Sequence, residues 1–283
     1  MPRPADIIIL ARDNFRMTRL CVESVRRHTR RPYNLILVDN GSSAPTARYL
    51  ERVSRLPRVR LIRNERNLRY ATAMNTAIMK GRAPYQAWLN NDVLVGPEWL
   101  ERLIAAVESD PAAGAAGPCT NDPDCGCGRG ARYSPGPREL PGFAAAWAVR
   151  FDGQREEVPL LAGFCFLVKR DAVARVGLLD ERFFWGEEDD DYSLRLRLAG
   201  YRLLLALDVF VSHRGHCTGE KRRSRQRLHD GENIRLLRRK WVQGLERIRP
   251  SPLKRHPRAS GPSSRPGSRG SQGNIRAACP RAG

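Results

Sequence analysis

Short apolar runs and amphipathic segments alternate along the first part of the chain. The apolar residues that follow the first run recur at the spacing of one helix face, which predicts a strand followed by a helix. Those helix residues are Met17, Leu20, Cys21 and Val25. The four predicted strands are Asp6–Ala11, Leu35–Val38, Val59–Ile62 and the run that begins at Trp88. Repeated strand–helix steps predict an α/β fold with a mostly parallel sheet flanked by helices.

Polar residues follow the predicted strands, and the run Trp88–Val95 contains three of them, Asn90, Asn91 and Asp92. The carboxyl ends of parallel strands lie along one edge of a sheet, where α/β proteins bind ligands. Asp92 offers a hard oxygen ligand to a divalent cation, which usually takes its other ligands from water and substrate phosphates. A simple turn is the alternative, because Asn-Asn-Asp is also favourable turn chemistry.

The middle of the chain begins with two regular elements and then changes in composition. Pro97–Glu108 has the pattern of a helix, and Asp110–Gly117 leads into a further strand. Residues 119–157 are rich in glycine and proline, so we expect a flexible loop there. Three of its residues, Cys119, Cys125 and Cys127, lack a fourth ligand and the usual spacing of a zinc site.

An acidic run, Gly186–Asp191, precedes a helical pattern. Acidic residues at a helix start compensate its dipole, which accounts for most of this run. Crowding also raises the pKa of some carboxyl groups, which suits a general base near neutral pH. Tyr201–Val211 then reads as a strand, and His213 and His216 follow it. Either histidine is a candidate metal ligand, although a histidine in this place is more often structural.

Charge is distributed unevenly over the 283 residues, whose net charge is +20. Residues 220–283 hold 18 Lys and Arg against 4 acidic residues. Residues 249–283 lack core-forming side chains, so we expect one folded domain at 1–248 followed by a disordered basic tail. The net charge suggests nucleic-acid binding, but the charge lies in this tail and aromatic residues are not interleaved with it. We therefore expect no nucleic-acid partner.

The amphipathic segment Asn233–Leu245 predicts a last helix that packs on the domain, with contact to an anionic membrane surface as the alternative. No apolar run approaches the about 18 residues of a membrane span. The amino terminus lacks the features of a signal peptide, so we read the 7 cysteines as reduced thiols. These observations predict a cytoplasmic protein, or one that is peripheral at the inner face of the membrane.

The order of several motifs resembles family 2 glycosyltransferases of the GT-A fold. The motifs are IIILARDN, LVDNGSS, NERNLRYATAMN, LNNDV, GFCFLVKRD, FWGEEDDDYSLRLRLAGYRL and VSHRGHCTG, and the resemblance covers about residues 5–245. It implies a nucleotide-sugar donor half at 5–118 and an acceptor half at 158–248. It also implies transfer of a sugar from a nucleotide-diphosphate donor to an acceptor hydroxyl, with inversion and with Mn²⁺ or Mg²⁺.

The same resemblance assigns roles to single residues. The donor would be bound by Asn14, Asp39, Asn67, Arg69, Asn75, Asn90 and Asn91. The metal would be bound by Asp92 and His213, with His216 as the competing histidine. Asp189 would be the catalytic base beside Glu188, and a saccharide or lipid-linked acceptor would meet Trp185 and Asp191. Arg69 departs from the family, which usually has glycine there, so it either grips the donor or points to solvent.

Two other enzyme classes lack their motifs in this chain. A dinucleotide-binding dehydrogenase carries a glycine-rich turn after its first strand, and the turn Ala11–Arg16 contains no glycine. A sugar-1-phosphate nucleotidyltransferase, the nearest alternative, would also have a glycine-rich loop there. Processive members of the resembling family carry membrane helices and a Gln-x-x-Arg-Trp block, and neither occurs in this sequence. We therefore expect a non-processive enzyme.

Deletion of residues 250–283 should leave folding and turnover of soluble substrates nearly intact, because this segment has few apolar side chains to bury. Thermal unfolding and steady-state turnover of the truncated protein check this expectation. A large drop in either quantity would mean that the tail is part of the folded domain.

Overall fold

The computed structural model describes residues 3–121, 136–184, 186–214 and 220–241. The strands in these ranges are β1 (Ala5–Ala11), β2 (Tyr33–Asn40), β3 (Val59–Asn64), β4 (Tyr85–Asn90), β5 (Val93–Val95), β6 (Ala113–Cys119), β7 (Arg155–Glu157), β8 (Cys165–Lys169) and β9 (Arg202–His213). The helices are α1 (Phe15–His28), α2 (Ala44–Ser54), α3 (Tyr70–Lys80), α4 (Trp99–Glu108), α5 (Leu140–Arg150), α6 (Arg170–Val176), α7 (Glu188–Leu198) and α8 (Glu220–Trp241).

The first four strands form the parallel part of the sheet, in the order β3-β2-β1-β4. Helices α1, α2 and α3 connect them, so the predicted succession of strand and helix is confirmed. The register sets Ala11 opposite Asp39 and Leu10 opposite Asn90. The polar ends of β2 and β4 therefore lie on either side of the end of β1, along one edge of the sheet.

The remaining strands make the sheet mixed. Strand β8 runs antiparallel to β4 and β6, β9 runs parallel to β6, and β5 and β7 run antiparallel to β9. The apolar run Trp88–Val95 is consequently divided into two strands at Asn91 and Asp92. After these two residues the chain leaves β4 and pairs with β9, which sets Val93 opposite His213. Asp92 therefore lies in a turn and is also the predicted metal ligand, so the two alternatives from the sequence are compatible.

Alternating side chains of the buried strands supply a core on each face of the sheet. Ile7 and Ile9 of β1 pack in the cluster that includes residues of α1, α2 and α4. Ile8 and Leu10 point to the other face and pack in the cluster that includes residues of α3, α6 and α7. Strand β1 is buried along its whole length, and all of its residues except Asp6 are apolar, so it is an interior strand of a sheet that is covered on both sides.

The prediction of a flexible loop over residues 119–157 is wrong for the second half of that range. Residues 140–157 contain α5 and β7. Leu140, Ala144 and Ala148 recur every four residues and are buried, so this segment has a helix face to pack in spite of its glycine and proline content. Residues 122–135 lie outside the described part of the chain, and Cys125 and Cys127 are among these residues.

All described residues fall within one compact unit, Met1–Ile248. Within the described part of the chain, no helix is both long enough and apolar enough to cross a membrane. Cys21 and Cys165 are buried free thiols, and Cys119 is buried in β6. Trp241 near the end of α8 is buried, so the described part of the predicted last helix packs on the domain. The tail at 249–283 lies outside the described residues.

Candidate functional site

Asp92 and His213 meet where β5 pairs with the end of β9. The Nε2 atom of His213 lies 3.5 Å from Oδ1 of Asp92. That carboxylate oxygen is buried and makes no hydrogen bond among the described residues. The imidazole ring of His213 stacks on Phe164, with ring centroids 4.9 Å apart and an interplanar angle of 14°. The pair therefore presents a carboxylate oxygen and a ring nitrogen from a rigid part of the sheet.

Hydrogen bonds from two asparagine side chains fix the surroundings of this pair. Asn121 accepts a hydrogen bond at Oδ1 from the backbone N–H of His213 (2.9 Å) and donates from Nδ2 to the carbonyl of His213 (3.0 Å). Asn91 donates to Thr18 Oγ1 at 2.7 Å, which ties the turn to α1. Sequence reasoning missed Asn121, whose position just after β6 was the available signal. Asn91 braces the turn, so its predicted donor role is not supported by its contacts.

A buried, unsatisfied carboxylate oxygen beside an imidazole nitrogen fits Mn²⁺, which accepts both ligand types. Among the described residues, no three His, Cys, Asp or Glu side chains gather into a larger metal-binding cluster. A metal bound by Asp92 and His213 would therefore take its remaining ligands from phosphate oxygens and water. The competing His216 lies outside the described residues.

Asp189 lies in the first turn of α7, as the acidic run predicted. Its Oδ2 atom accepts a hydrogen bond from the backbone N–H of Gly163 at 2.6 Å. A Cβ atom on residue 163 would lie 2.9 Å from that oxygen, so this close approach requires glycine. Burial raises the pKa of Asp189 above its ordinary value. The Asp189 carboxylate is therefore held in place by Gly163, and its burial increases its proton affinity.

The neighbours of Asp189 share this increased proton affinity. Burial, followed by the charge of Asp189, raises the pKa of Glu188 to about 8. Burial and the charges of Asp189 and Glu187 raise the pKa of Asp190 to about 7. Burial also raises the pKa of Tyr70, and the charges of Glu188, Asp189 and Asp92 raise it further. The charges of the acidic run and of Asp92 thus act on the same phenol.

The segment Leu161–Phe164, which we call the bridge segment, contacts both parts of the site. Gly163 donates to Asp189, and the N–H of Leu161 donates to Ser193 Oγ in α7 at 3.1 Å. On the other side, the carbonyl of Phe164 accepts from the N–H of Asn90 at 3.0 Å, and the Phe164 ring stacks on His213. Asn90 is the last residue of β4, two residues before Asp92.

Asp39 lies at the end of β2, where it is only 1% exposed. Its Oδ1 accepts from the N–H of Ser42 at 2.9 Å, and its Oδ2 accepts from Arg63 Nε at 3.2 Å. The positive φ of Gly41 (73°) permits the turn between them. Asn14 precedes α1 in a left-handed conformation, with φ 50°, and makes no side-chain cap. Both residues therefore lie at the carboxyl edge, where a donor was expected.

Asn67 is bound into a network centred on Asn40, a residue that the sequence did not single out. Asn40 donates from Nδ2 to Asn67 Oδ1 (3.1 Å) and to the carbonyl of Leu68 (3.0 Å). Its Oδ1 accepts from Asn64 Nδ2 and from the N–H of Leu68, both at 3.0 Å. Asn40 is buried, so this network shapes the loop that carries Asn67 and Arg69.

Arg69 is exposed, in line with the solvent alternative, but its head group also contacts the segment before α7. It donates from Nη1 to the carbonyl of Glu181 at 3.2 Å, and its guanidinium lies 5.4 Å from the centroid of the Phe184 ring. These contacts join the start of α3 to the segment before α7. Arg69 thus makes a contact between the two halves of the domain, and its donor role stays a prediction.

Two further assignments are corrected by burial. Asn75 is 2% exposed, and its amide donates to Leu179 and Glu181 and accepts from Leu179, so it holds a backbone segment and does not face a donor. Asp191 is fully buried and accepts from Arg195, Lys240 and Trp241. An acceptor cannot reach it, and its role is to bind α8. Trp185 lies outside the described residues.

Comparison with known proteins gives the same family as the motifs. The model of glycosyl transferase family 2 matches residues 6–177. An N-acetylglucosaminyl-diphospho-decaprenol L-rhamnosyltransferase of Mycobacterium tuberculosis is 34% identical over 237 residues, which cover 71% of this chain and 73% of the relative. The O-antigen biosynthesis protein RfbC of Myxococcus xanthus is 26% identical, over 73% of this chain and 17% of that protein.

Solved structures show the same fold. The mannosyltransferase PcManGT from Pyrobaculum calidifontis, in complex with GDP-Man and Mn²⁺, has a TM-score of 0.61 at 18% identity and covers 83% of this chain and 65% of that one. GalNAc-T7 with UDP, GalNAc and Mn²⁺ has a TM-score of 0.59 at 19% identity and covers 75% of this chain but only 44% of that one. The family match, the rhamnosyltransferase relative and this fold lead to one conclusion: the chain belongs to glycosyltransferase family 2, whose members are enzymes that transfer a sugar.

Proposed function

We propose that this enzyme moves a sugar from a nucleotide-diphosphate donor to an acceptor hydroxyl, with inversion, in the synthesis of a cell-surface polysaccharide. The observation that carries the proposal is the bridge segment, which binds Asp189 on one side and contacts Asn90 and His213 on the other. A base and a metal-binding pair are thereby held at fixed relative positions. Single-displacement transfer requires such an arrangement, because acceptor and leaving group lie on opposite sides of the reacting carbon.

The donor would lie along the carboxyl edge of the parallel strands. Asp39 lies at this edge, where Ser42 and Arg63 hold its carboxylate, and its proposed role is to contact the base or ribose. Asn14 and Asn67 border the same edge. Asp92 and His213 would hold Mn²⁺ or Mg²⁺, whose charge stabilises a leaving diphosphate.

The chemical step assigned to this chain is proton removal by Asp189. As the acceptor oxygen forms its bond to the anomeric carbon, the bond from that carbon to the diphosphate oxygen breaks, and the acceptor proton passes to the Asp189 carboxylate. Burial raises the pKa of this group, which brings its proton affinity closer to the working pH of a general base. The Gly163 N–H holds one carboxylate oxygen in place during the step.

For the sugar and the acceptor, we propose L-rhamnose and a lipid-linked saccharide. The support is the relative that is 34% identical, whose name specifies L-rhamnosyl transfer to N-acetylglucosaminyl-diphospho-decaprenol. A lipid-linked acceptor lies at a membrane. Exposed basic residues on α8, Arg235, Arg238 and Arg239, favour peripheral contact with an anionic surface at its inner face.

The alternatives from the sequence gain no support. A sugar-1-phosphate nucleotidyltransferase and a nucleic-acid binder both differ from the family whose model matches residues 6–177. The proposal therefore keeps a single reaction class, and its tests separate metal-dependent donor binding from the transfer step.

Asp92→Ala should abolish metal-dependent binding of the donor, whereas His213→Ala should weaken it less, because the carboxylate contributes charge as well as a ligand. Calorimetric titration with a nucleoside diphosphate and Mn²⁺ measures this. Asp152→Ala is the matched control, since its side chain is 74% exposed and bound to Arg102. Unchanged affinity in Asp92→Ala would remove the metal site from the proposal.

Asp189→Asn should retain donor and metal binding and lose transfer by about 10² to 10⁴-fold, because an amide keeps the shape of the side chain but cannot accept the proton. Asp190→Asn, at the adjacent position, should be mild. In the wild type, transfer should fall as the pH is lowered, and the fall should begin at a higher pH than an ordinary aspartate would give, because burial raises the pKa of Asp189 and leaves less of the ionised base. Equal damage from both substitutions, measured as single-turnover rates, would mean that the base is assigned to the wrong residue.

A further inference from the structure

The inner face of α8 carries a buried amide that binds the backbone on both sides of position 185. Asn233 is 3% exposed. Its Oδ1 accepts from the N–H of Phe184 at 3.2 Å, and its Nδ2 donates to the carbonyl of Gly186 at 3.0 Å. One side chain thus pairs with two residues of an irregular segment, much as a neighbouring strand would.

The beginning of the same segment is held by α3. Asn75 donates to the carbonyl of Leu179 and accepts from its N–H, both at 2.9 Å. Glu181 accepts from Asn75 at 2.9 Å and from Thr72 at 3.0 Å. Buried amides therefore hold Leu179 on one side and Phe184 and Gly186 on the other, and Gly186 lies two residues before the start of α7.

Asn233 is not needed merely to attach α8 to the domain. Trp241 donates from Nε1 to Asp191 at 2.9 Å, and Lys240 donates to Asp191 and Asp180, both at 2.7 Å. These contacts anchor the end of α8 to α7. The amide of Asn233 instead binds Phe184 and Gly186. Gly186 lies only three residues before Asp189.

We infer that Asn233 is a positioning residue for the acceptor side of the site. It acts through the backbone of Phe184 and Gly186, which sets the entry into α7 and the presentation of Glu188 and Asp189. This inference rests on the proposed transfer reaction. Loss of the amide should misplace the acceptor relative to the base, while the pair of Asp92 and His213, which lies at the junction of β5 and β9, stays intact.

The test compares Asn233→Ala with Trp241→Phe. Asn233→Ala should lower kcat/KM for the acceptor by about tenfold or more, since small displacements of reacting groups carry rate effects of this order. Affinity for nucleoside diphosphate with Mn²⁺ should stay unchanged. Trp241→Phe removes a different hydrogen bond of α8 and keeps an aromatic ring, so it should leave acceptor kinetics unchanged even where the melting temperature falls.

Hydrogen exchange gives a readout that does not depend on activity. The amide of Phe184 should exchange faster in Asn233→Ala than in the wild type, because its acceptor is gone. Asn233→Asp keeps the volume and an acceptor for Phe184 but offers no donor to Gly186 while it is ionised. Asn233→Asp should also raise the KM for the acceptor. It replaces Asn233→Ala in the test if the alanine variant fails to fold.

The failures are distinguishable. Absence of transfer in the wild type would contradict the proposed function, while faster exchange at Phe184 in Asn233→Ala would still support the role of the amide. Wild-type transfer with unchanged acceptor kcat/KM in both Asn233 variants would overturn the inference alone. Equal loss of acceptor kcat/KM in Trp241→Phe would overturn it as well, because Asn233 would then have only a general stabilising role.

Discussion

The hydrogen bond from the Gly163 N–H to the Asp189 carboxylate joins the two chemical parts of this enzyme. Asp189 starts α7, whereas Asp92 and His213 lie at the junction of β5 and β9. No continuous element connects these places in the described residues, and the bridge segment spans them with Gly163 on one side and Phe164 on the other. The bond also holds a carboxylate that burial would otherwise favour in its neutral form, because a backbone N–H lowers the pKa while burial raises it.

The mixed half of the sheet explains why the metal pair exists. If Trp88–Val95 had continued as one strand beside β1, Asp92 would have remained within a parallel ladder. The chain instead turns at Asn91 and Asp92, and β5 joins β9 in antiparallel pairing with Val93 opposite His213. A residue early in the domain and one near its end are thus brought within 3.5 Å. The same strand exchange leaves Asp92 Oδ1 buried with no hydrogen bond from the described part of the chain, a cost that a bound cation would remove.

Local patterns in the sequence were sufficient for the parallel half and for the positions of Asp39, Asp92, Asp189 and His213, because strand ends and acidic helix starts are local signals. Long-range packing decided the rest. Asp191 belongs to the same acidic run as Asp189, but α8 covers it, and Asn75 is turned into the domain toward Leu179. Glycine and proline suggested a loop over residues 119–157, where burial of an apolar face produced α5. The donor and acceptor roles themselves stay predictions.

Substitution of Gly163 by alanine tests the joining role of the bridge segment most directly. Alanine would set Cβ 2.9 Å from Asp189 Oδ2, so the carboxylate must move, whereas Gly142→Ala in α5 meets no atom within 4 Å and is the matched control. Single-turnover transfer and calorimetric binding of nucleoside diphosphate with Mn²⁺ should be measured on both variants. We expect Gly163→Ala to lose transfer by about 10²-fold with donor affinity retained, and Gly142→Ala to match the wild type. Full transfer in Gly163→Ala would contradict the account.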